Sequence, residues 1–207
     1  MNKVSIVGIG PGHRDYILPI AYRKIEETDI LVGAKRNLEI FSTYNKEQYV
    51  YDSGLQHMSE FIINNKDANK ITVVVSGDTG FYSLLDYLKQ KLGEKNIEVI
   101  PGISSFQYMF SKIKKSYKDY GLYSLHGREI DICKLLQCNK GIFLLTDNIN
   151  SPDVIAKTIM ENGYDNCKMF VGENLSYDNE NIVVDTPKNI SLMKFSSLSV
   201  VVIENNE

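Results

Sequence analysis

The segment at residues 71–88, ITVVVSGDTGFYSLLDYL, constrains the possible folds of this chain more than any other part of the sequence. It begins with an unbroken β-branched run, which is typical of a strand that helices cover on both faces. A loop of small and polar residues follows at 76–80, and leucines then recur at helical spacing. The pattern predicts a buried strand, a tight loop and an amphipathic helix that begins near Phe81.

Asp78 lies in this loop, between the end of a predicted strand and the start of a predicted helix. In an open parallel sheet, ligands usually bind at this position, and a small residue such as Gly77 lets backbone N–H groups approach a ligand closely. A carboxylate here can equally cap the helix that follows. The spacing alone leaves both interpretations of Asp78 open.

Apolar strands and amphipathic helices alternate along the rest of the chain. The first half has further strands predicted at 4–7, 29–32, 49–51 and 97–100. One helix is predicted after the first strand, with Asp15 as its cap and an inner face of Ile17, Ile20, Ala21 and Ile25; another contains Met58, Phe61 and Ile62. This alternation predicts an α/β fold with a parallel sheet and right-handed connections.

A second α/β set follows a polar, charged segment, IKKSYKDYG, at 113–121. Its strands are predicted at 120–125, 141–145, 168–171 and 198–203, and its helix at 152–160. We therefore expect two α/β domains, at residues 1–114 and 115–207. Polar loops at the strand ends of both domains would enclose a cleft, which is a preferred site for a ligand larger than a nucleotide.

Composition excludes several classes of protein. The chain has 207 residues, of which 43% are hydrophobic, and a formal net charge of -3, so it lacks the basic face expected of a nucleic-acid-binding protein. No apolar run approaches the roughly 20 residues of a membrane span, and no signal-peptide pattern precedes the first strand. The sequence predicts a cytoplasmic protein with no membrane or nucleic-acid partner.

The cysteines indicate neither a disulfide framework nor a metal site. There are only three, Cys133, Cys138 and Cys167. An odd, small number of cysteines does not suit a disulfide scaffold, and no fourth ligand accompanies Cys133, Cys138 and the nearby His126 at a spacing typical of zinc. We therefore expect no metal bound by the protein.

Two further segments resemble ligand-binding loops. The turn GIGPG at 8–12 departs from the dinucleotide fingerprint, because His13 stands where a glycine is required and Pro11 lacks the backbone donor that a pyrophosphate needs. Pro11 therefore suits a stiff wall of a site. Arg36 follows the second predicted strand and could bind an anionic substrate with its guanidinium, although many such arginines are surface residues.

Four motifs resemble, in order and over essentially the whole chain, those of the tetrapyrrole methylases: VGIGPG at 7–12, SGDTGFY at 76–82, PGISS at 101–105 and ENLS at 173–176. That family consists of S-adenosylmethionine-dependent enzymes with two α/β domains. Within it, GAKR at 33–36 and SLHGR at 124–128 are most similar to the precorrin-7 or cobalt-precorrin-7 C5-methyltransferases of cobalamin biosynthesis. Relatives commonly have Gly-Asp-Pro at 77–79, and Thr79 here loosens the turn but leaves the carboxylate in place.

The resemblance implies the site residues and partners. S-adenosylmethionine, with S-adenosylhomocysteine as product, would lie between the domains against Pro11, Gly77, Asp78, Phe81, Ser104 and Ser105, with Leu145 near its adenosine end. Arg36 and Arg128 would bind carboxylates of the tetrapyrrole, and His126 or Glu173 would accept a proton if one must leave the ring carbon. His126 and Glu173 can also be residues that only shape a loop. The resemblance further implies a homodimer, and a separate C15-methyltransferase and decarboxylase as a partner, because the fused form of that enzyme would be much longer.

Three alternative functions remain open at this stage. A methylase of the same family could act on a different ring carbon. A diphthamide or ribosomal-RNA methylase would share the cofactor loops but act on a macromolecule, which for RNA would require a basic face. A non-catalytic binder of tetrapyrrole or nucleotide would share the pocket but would not turn over.

Overall fold

The computed structural model describes residues 2–52, 54–128 and 130–205. The chain divides into two compact units, the first ending at Ser104 and the second beginning at Ser105. Each unit contains a five-stranded sheet with helices packed on it, so the predicted α/β class with two sheets is confirmed. The predicted domains, residues 1–114 and 115–207, stay a prediction.

The first unit is a parallel α/β layer. Its strands follow the order β3-β2-β4-β1-β5, and every neighbouring pair is parallel, as predicted. The predicted strands agree with the observed ones to within two residues. The elements, among the described residues, are β1 Val4–Gly8, α1 Pro19–Glu26, β2 Ile30–Gly33, α2 Lys35–Glu39, β3 Glu47–Val50, α3 Leu55–Asn65, β4 Ile71–Val75, α4 Leu85–Leu92 and β5 Ile97–Ile100.

The central strand β4 is buried along its whole length because helices cover both faces of the sheet. Successive side chains of a strand point to opposite faces, so Val73 packs with the residues of α3 and α4 while Val74 packs with those of α1 and α2. A strand that is buried on both faces needs apolar residues at every position except those whose polar group has a hydrogen-bond partner in the interior. Thr72 meets that condition, because its hydroxyl is hydrogen bonded to the hydroxyl of Thr28.

Two helix starts differ from the prediction. Helix α4 begins at Leu85 rather than near Phe81, and Leu84 occupies its N-cap position with no side-chain cap bond, so Asp78 does not cap it. Residues 81–84 form bends, and Tyr82 has a positive φ of 48°. A residue with positive φ cannot continue a right-handed helix, and this delays the start of α4.

Helix α1 also begins later than the Asp15 cap would require. Its first residue is Pro19, which suits this position because its fixed φ is already helical, and Asp15 lies in a preceding 3-10 turn. Ile17, Ala21 and Ile25 are buried as predicted, but Ile20 is 46% exposed. The inner face of α1 is set by Ala21 and Ile25, and Ile20 lies one position away from that face.

The second unit contains a mixed sheet. Its strand order is β6-β7-β10-β8-β9, and only β6 and β7 are parallel to each other. The sequence predicted neither β9 nor the helices α5, α6 and α8. The elements, again among the described residues, are α5 Ser105–Lys112, β6 Tyr120–Ser124, α6 Ile132–Cys138, β7 Gly141–Leu145, α7 Pro152–Glu161, β8 Lys168–Glu173, β9 Asn181–Asp185, α8 Pro187–Ile190 and β10 Ser199–Glu204.

The two faces of this sheet have different coverings. One face packs against α6, α7 and α8 through an aliphatic cluster that contains Ile142, Leu144 and Val201. On the other face lies α5, whose Phe106 and Phe110 rings are 6.1 and 6.4 Å from the ring of Phe143. No helix among the described residues is long and apolar enough to cross a membrane.

A partly buried polar cluster joins the chain's last strand to the start of β6. Lys115 Nζ donates to both carboxylate oxygens of Glu204 at 2.9 Å, and Tyr120 Oη donates to Oε1 at 2.6 Å. Burial would raise the pKa of Glu204, but the bonds from Lys115 and Tyr120 outweigh it and lower that pKa. Burial, followed by the bond to Glu204, raises the pKa of Tyr120.

We expect Glu204→Gln to lower the free energy of unfolding at pH 7 by about 1.5 to 3 kcal/mol, because the three charge-assisted bonds from Lys115 and Tyr120 lose their charged acceptor. Since the folded pKa of Glu204 is lowered, its contribution is present above its ordinary value of 4.5 and is lost as pH falls through the folded value. Urea unfolding should therefore show the two proteins converging in acid. Glu161→Gln, at an exposed position, is the matched control. If the difference in the free energy of unfolding between wild type and Glu204→Gln persisted unchanged in acid, the charge of Glu204 would not be its source.

Candidate functional site

Three loops of the first unit come together at one edge of its sheet. They follow β1, β4 and β5, which are neighbours in the parallel sheet, so their carboxyl ends lie side by side. The loops after β1 and β4 exchange two backbone hydrogen bonds: Gly10 N donates to Gly77 O at 3.1 Å, and Gly77 N donates to Gly10 O at 2.7 Å. The predicted sites Pro11 and Gly77 therefore lie on loops that are bonded to each other.

The third loop approaches so closely that only glycine fits. A Cβ atom on Gly102 would lie 2.2 Å from Gly77 O and 2.7 Å from the carbonyl carbon of Gly8. A Cβ atom on Gly8 would lie 2.6 Å from Gly102 N. Because all of these neighbours are backbone atoms, they cannot move aside as a flexible side chain could. The three residues Gly8, Gly77 and Gly102 form a contact that we call the glycine junction, and the sequence alone did not reveal it.

Asp78 connects two of these loops through its side chain. Its Oδ1 accepts a bond from Gly102 N at 3.1 Å, and its Oδ2 accepts one from Gly80 N at 2.8 Å. A carboxylate has about four lone-pair positions, so two bonds leave acceptor capacity for a ligand. Asp78 therefore stabilises the glycine junction and can also bind a cationic group.

The other predicted residues of the first unit lie on or near these loops. Pro11 is buried, and Ser104, at the end of the loop after β5, is 2% exposed. The Phe81 ring packs edge-on against Tyr82, with centroids 4.9 Å apart. Arg36 is exposed in α2, after the carboxyl end of β2, at the same sheet edge. Burial raises the pKa of the nearby Tyr51 hydroxyl, and the charge of Arg36 opposes that shift.

In the second unit, the predicted residues Leu145, His126 and Glu173 lie at one end of the sheet. The register pairs Ser124 with Leu145, Leu145 with Val200, and Val200 with Gly172, so these positions form a row across four strands. His126 follows the row on β6, and Glu173 follows it on β8. Ser105 begins α5, which belongs to this unit. The structure thus brings Leu145, His126 and Glu173 to a common edge.

His126 and Glu173 differ in their surroundings. Glu173 is bonded on both oxygens: Oε1 accepts from Ser196 N at 2.6 Å, and Oε2 accepts from Asn181 Nδ2 at 3.0 Å. These bonds join three chain segments, so the carboxylate has a structural function. The His126 side chain is exposed, while its backbone N donates to Ser124 Oγ at 3.3 Å. Proton transfer by either residue stays a prediction.

Asp147 is a prominent polar residue of this edge that the sequence did not identify as a site residue. It follows β7, and its two oxygens accept bonds from the backbone N–H groups of Ile149, Asn150 and Gly127. These bonds, led by that from Asn150, lower the pKa of Asp147. The nearby Thr146 hydroxyl donates to Ser199 O at 2.6 Å.

Beside Asp147 lies an open cavity of about 660 Å³ between the loops after β6 and β7. It is built entirely from the second unit, and Arg128 supplies its basic side chain. Its lining residues are Leu125, Gly127, Arg128, Ile130, Asp131, Asp147, Ile149 and Asn150.

Metal-ligating side chains do not cluster in the part of the chain that the structure describes. Over residues 2–52, 54–128 and 130–205, no three His, Cys, Asp or Glu residues are grouped so as to hold a metal ion. Cys133, Cys138 and Cys167 are free thiols.

Comparison with known proteins shows similarity along almost the whole chain. Residues 3–191 match the family model for the Tetrapyrrole (Corrin/Porphyrin) Methylases. The chain is 38% identical, over 99% of both sequences, to a Methanocaldococcus jannaschii protein named probable cobalt-precorrin-7 C(5)-methyltransferase. It is 31% identical to the cobalt-precorrin-7 C(5)-methyltransferase of Salmonella typhimurium, over 86% of this chain and 88% of that one.

The fold also matches that of solved structures. Uroporphyrin-III C-methyltransferase from Thermus thermophilus, in complex with S-adenosyl homocysteine, gives a TM-score of 0.79 over 98% of this chain and 92% of that one. The two sequences are 15% identical, so this likeness concerns the fold.

Proposed function

We propose that this chain, a methyltransferase that belongs to the tetrapyrrole methylase family, transfers a methyl group from S-adenosylmethionine to C5 of precorrin-7 or its cobalt form in cobalamin biosynthesis. The observation that carries the proposal is the 38% identity, over 99% of both sequences, to a protein named for this reaction. The similarity is spread over both units, so it includes the loops of each sheet edge.

The loops of the first unit support S-adenosylmethionine as the cofactor. The amino-acid end of such a cofactor carries an ammonium group, which the remaining acceptor positions of Asp78 can bind. The glycine junction lets backbone groups approach a ligand, and buried Pro11 forms a stiff wall beside it. We assign the cofactor to Pro11, Gly77, Asp78, Phe81, Ser104 and Ser105, with Leu145 towards the adenosine, and S-adenosylhomocysteine as the product.

For methyl transfer, these residues need mainly to position the acceptor carbon and the cofactor's methyl group. The bound sulfonium supplies an activated methyl group, so the chain needs no nucleophile of its own. Its loops must hold the acceptor carbon in line and exclude water. If a proton leaves that carbon, His126 or Glu173 is the candidate acceptor, since the His126 side chain is exposed and the two bonds to Glu173 leave its carboxylate some acceptor capacity.

The substrate is a tetrapyrrole with carboxylates on its periphery, and we assign Arg36 and Arg128 to those groups. Each arginine can bind a carboxylate through two parallel N–H bonds. We further propose a cytoplasmic homodimer that needs no metal ion of its own, and a separate enzyme for methylation at C15 and decarboxylation.

Turnover with methyl-labelled S-adenosylmethionine tests the proposed function. The purified chain is incubated with precorrin-7, cobalt-precorrin-7, an earlier tetrapyrrole intermediate and, as controls, ribosomal RNA and the diphthamide precursor protein. We expect label only in the precorrin-7 forms and an unchanged rate in EDTA. Label in RNA or protein would favour a macromolecular methylase, label only in the earlier intermediate would indicate a different ring carbon, and binding without transfer would indicate a non-catalytic module.

A further inference from the structure

We propose that Asp147 is a positioning residue for the substrate: it holds the loop that carries Arg128 and so shapes a cavity that receives one carboxylate-bearing edge of the tetrapyrrole. The inference rests on the proposed function and refines where the second unit contacts the substrate. It assigns a function to a residue that the family motifs quoted above do not contain.

The bonds of Asp147 divide into a local set and a long-range one. Oδ1 accepts from Ile149 N at 2.9 Å and from Asn150 N at 2.6 Å, which stabilises the turn that follows β7. Oδ2 accepts from Gly127 N at 3.4 Å, and Gly127 lies 20 residues earlier in the loop after β6. One carboxylate therefore joins the two loops that line the cavity.

The bond from Gly127 N to Asp147 Oδ2 holds the backbone immediately before Arg128. Leu125 N donates to Leu145 O at 2.9 Å, and Arg128 N donates to Leu125 O at 3.1 Å, so residues 125–128 form a tight turn anchored to β7. Gly127 has a positive φ of 65°, which suits glycine. Asp147 holds the tip of this turn, and Arg128 follows immediately.

The cavity suits an apolar ring with an anionic periphery. Leu125, Ile130 and Ile149 give it apolar surface, and Ile149 is 80% exposed. Arg128 adds a cation on the same wall. The volume of about 660 Å³ is large enough for a substantial part of a macrocycle, and the cavity is open to solvent.

Two carboxylates, Asp131 and Asp147, also line this cavity. They would repel an anionic substrate unless hydrogen bonds or ion pairs compensated their negative charge. Asp131 Oδ1 accepts from Lys134 N, and its Oδ2 lies 3.1 Å from Lys134 Nζ, so it is engaged by its own helix. Asp147 is engaged by three backbone N–H groups and by Asn150 Nδ2 at 3.2 Å. Of the bonds described for these two carboxylates, only the one from Gly127 N to Asp147 crosses from one loop to the other, and this makes Asp131 a matched control.

The experiment compares Asp147→Asn with Asp131→Asn in the full chain, since both remove one negative charge from the same cavity. If Asp147 acts by position, Asp147→Asn should raise the KM for cobalt-precorrin-7 by roughly three- to tenfold and change kcat less than about twofold. Asp131→Asn removes a negative charge that repels the substrate, so it should lower this KM slightly, by less than about twofold. It should not disturb α6, because asparagine also caps helices well. Calorimetry should give both variants the wild-type affinity for S-adenosylmethionine.

A double-mutant cycle tests whether Asp147 acts through Arg128. Arg128→Ala should raise the KM on its own, and adding Asp147→Asn to it should raise the KM no further, because the residue being positioned has gone. Gly127→Ala changes the other partner of the Gly127–Asp147 bond and should raise the KM in the same way, so it replaces Asp147→Asn in the test if that variant folds poorly. A Cβ atom on Gly127 would meet no atom within 4 Å.

Several results would overturn the inference while leaving the proposed function intact. They are equal KM changes in Asp147→Asn and Asp131→Asn, multiplicative effects in the double variant, or a loss of S-adenosylmethionine affinity as large as the rise in KM. A wild-type protein that methylates no tetrapyrrole would instead contradict the proposed function itself.

Discussion

Gly102→Ala is expected to lower the free energy of unfolding by about 3 kcal/mol, at the upper end of what overpacking usually costs. The added Cβ would lie 2.2 Å from Gly77 O and 2.9 Å from the Cα of Gly8. Both neighbours are backbone atoms, one in the loop after β4 and one at the end of β1, so relief requires the glycine junction to open. Because the proposed cofactor contacts lie on these loops, affinity for S-adenosylmethionine should fall more than about tenfold as well.

Gly93→Ala is the matched control for this prediction. Gly93 lies in the same unit with a positive φ of 83°, and a Cβ there would meet only Asn96 Nδ2, at 3.7 Å. Its substitution should cost about 1 to 2 kcal/mol for the backbone conformation and leave cofactor affinity unchanged. Urea unfolding and calorimetry on both variants give the comparison. If Gly102→Ala binds the cofactor like the wild type, the junction does not shape the site.

Asp78→Ala is expected to weaken S-adenosylmethionine binding by about 1.5 to 3 kcal/mol, which is roughly 10- to 150-fold. The cofactor's ammonium loses a charge-assisted partner, and the N–H groups of Gly80 and Gly102 lose their acceptor. The loss of those two bonds should also lower stability, by about 1 to 3 kcal/mol. Calorimetry on the folded variant measures the first effect, and urea unfolding measures the second.

Asp78→Asn separates the two roles of this residue. An asparagine Oδ1 can still accept one of the two backbone bonds, but the side chain carries no charge for the ammonium. Stability should then recover in part while cofactor affinity stays low. Asp86→Ala, an exposed change in the first turn of α4, controls for general loss of negative charge. Wild-type affinity in a folded Asp78→Ala protein would remove Asp78 from the cofactor site.

The strands of the first unit could be predicted because their signal is local. Every residue of β4 is apolar or β-branched, and this reflects burial on both faces, a property that depends little on which element packs there. The start of α4 could not be predicted in the same way. It depends on the positive φ of Tyr82, which the three-dimensional course of the loop sets and which no local residue preference indicated.

The second sheet was harder to predict because its pairing is non-local. Strand β9 carries exposed or half-buried residues along its length, so it lacks the apolar run that marks the central strands. Its existence depends on antiparallel pairing with β8, which places Val183 opposite Val171. The short helix α8 has four residues, too few for a periodic pattern.

Parts of the candidate site could be predicted from motifs, but the bonds between loops could not. Asp78 was identified from its place after a buried strand, whereas its partner Gly102 lies 24 residues further on. The sequence does not single out Asp147, because a single aspartate after a strand has several ordinary explanations. Its contact with Gly127 depends on the parallel pairing of β6 and β7, which places their exit loops side by side.

The position of the transferred methyl group tests the central claim most directly. The purified chain is incubated with cobalt-precorrin-7 and S-adenosylmethionine labelled with carbon-13 in its methyl group, and the product is analysed by mass spectrometry and carbon NMR. We predict one labelled methyl, attached to C5, with no loss of carbon dioxide. A labelled methyl on any other ring carbon, a second labelled methyl, or a decarboxylated product would contradict the account.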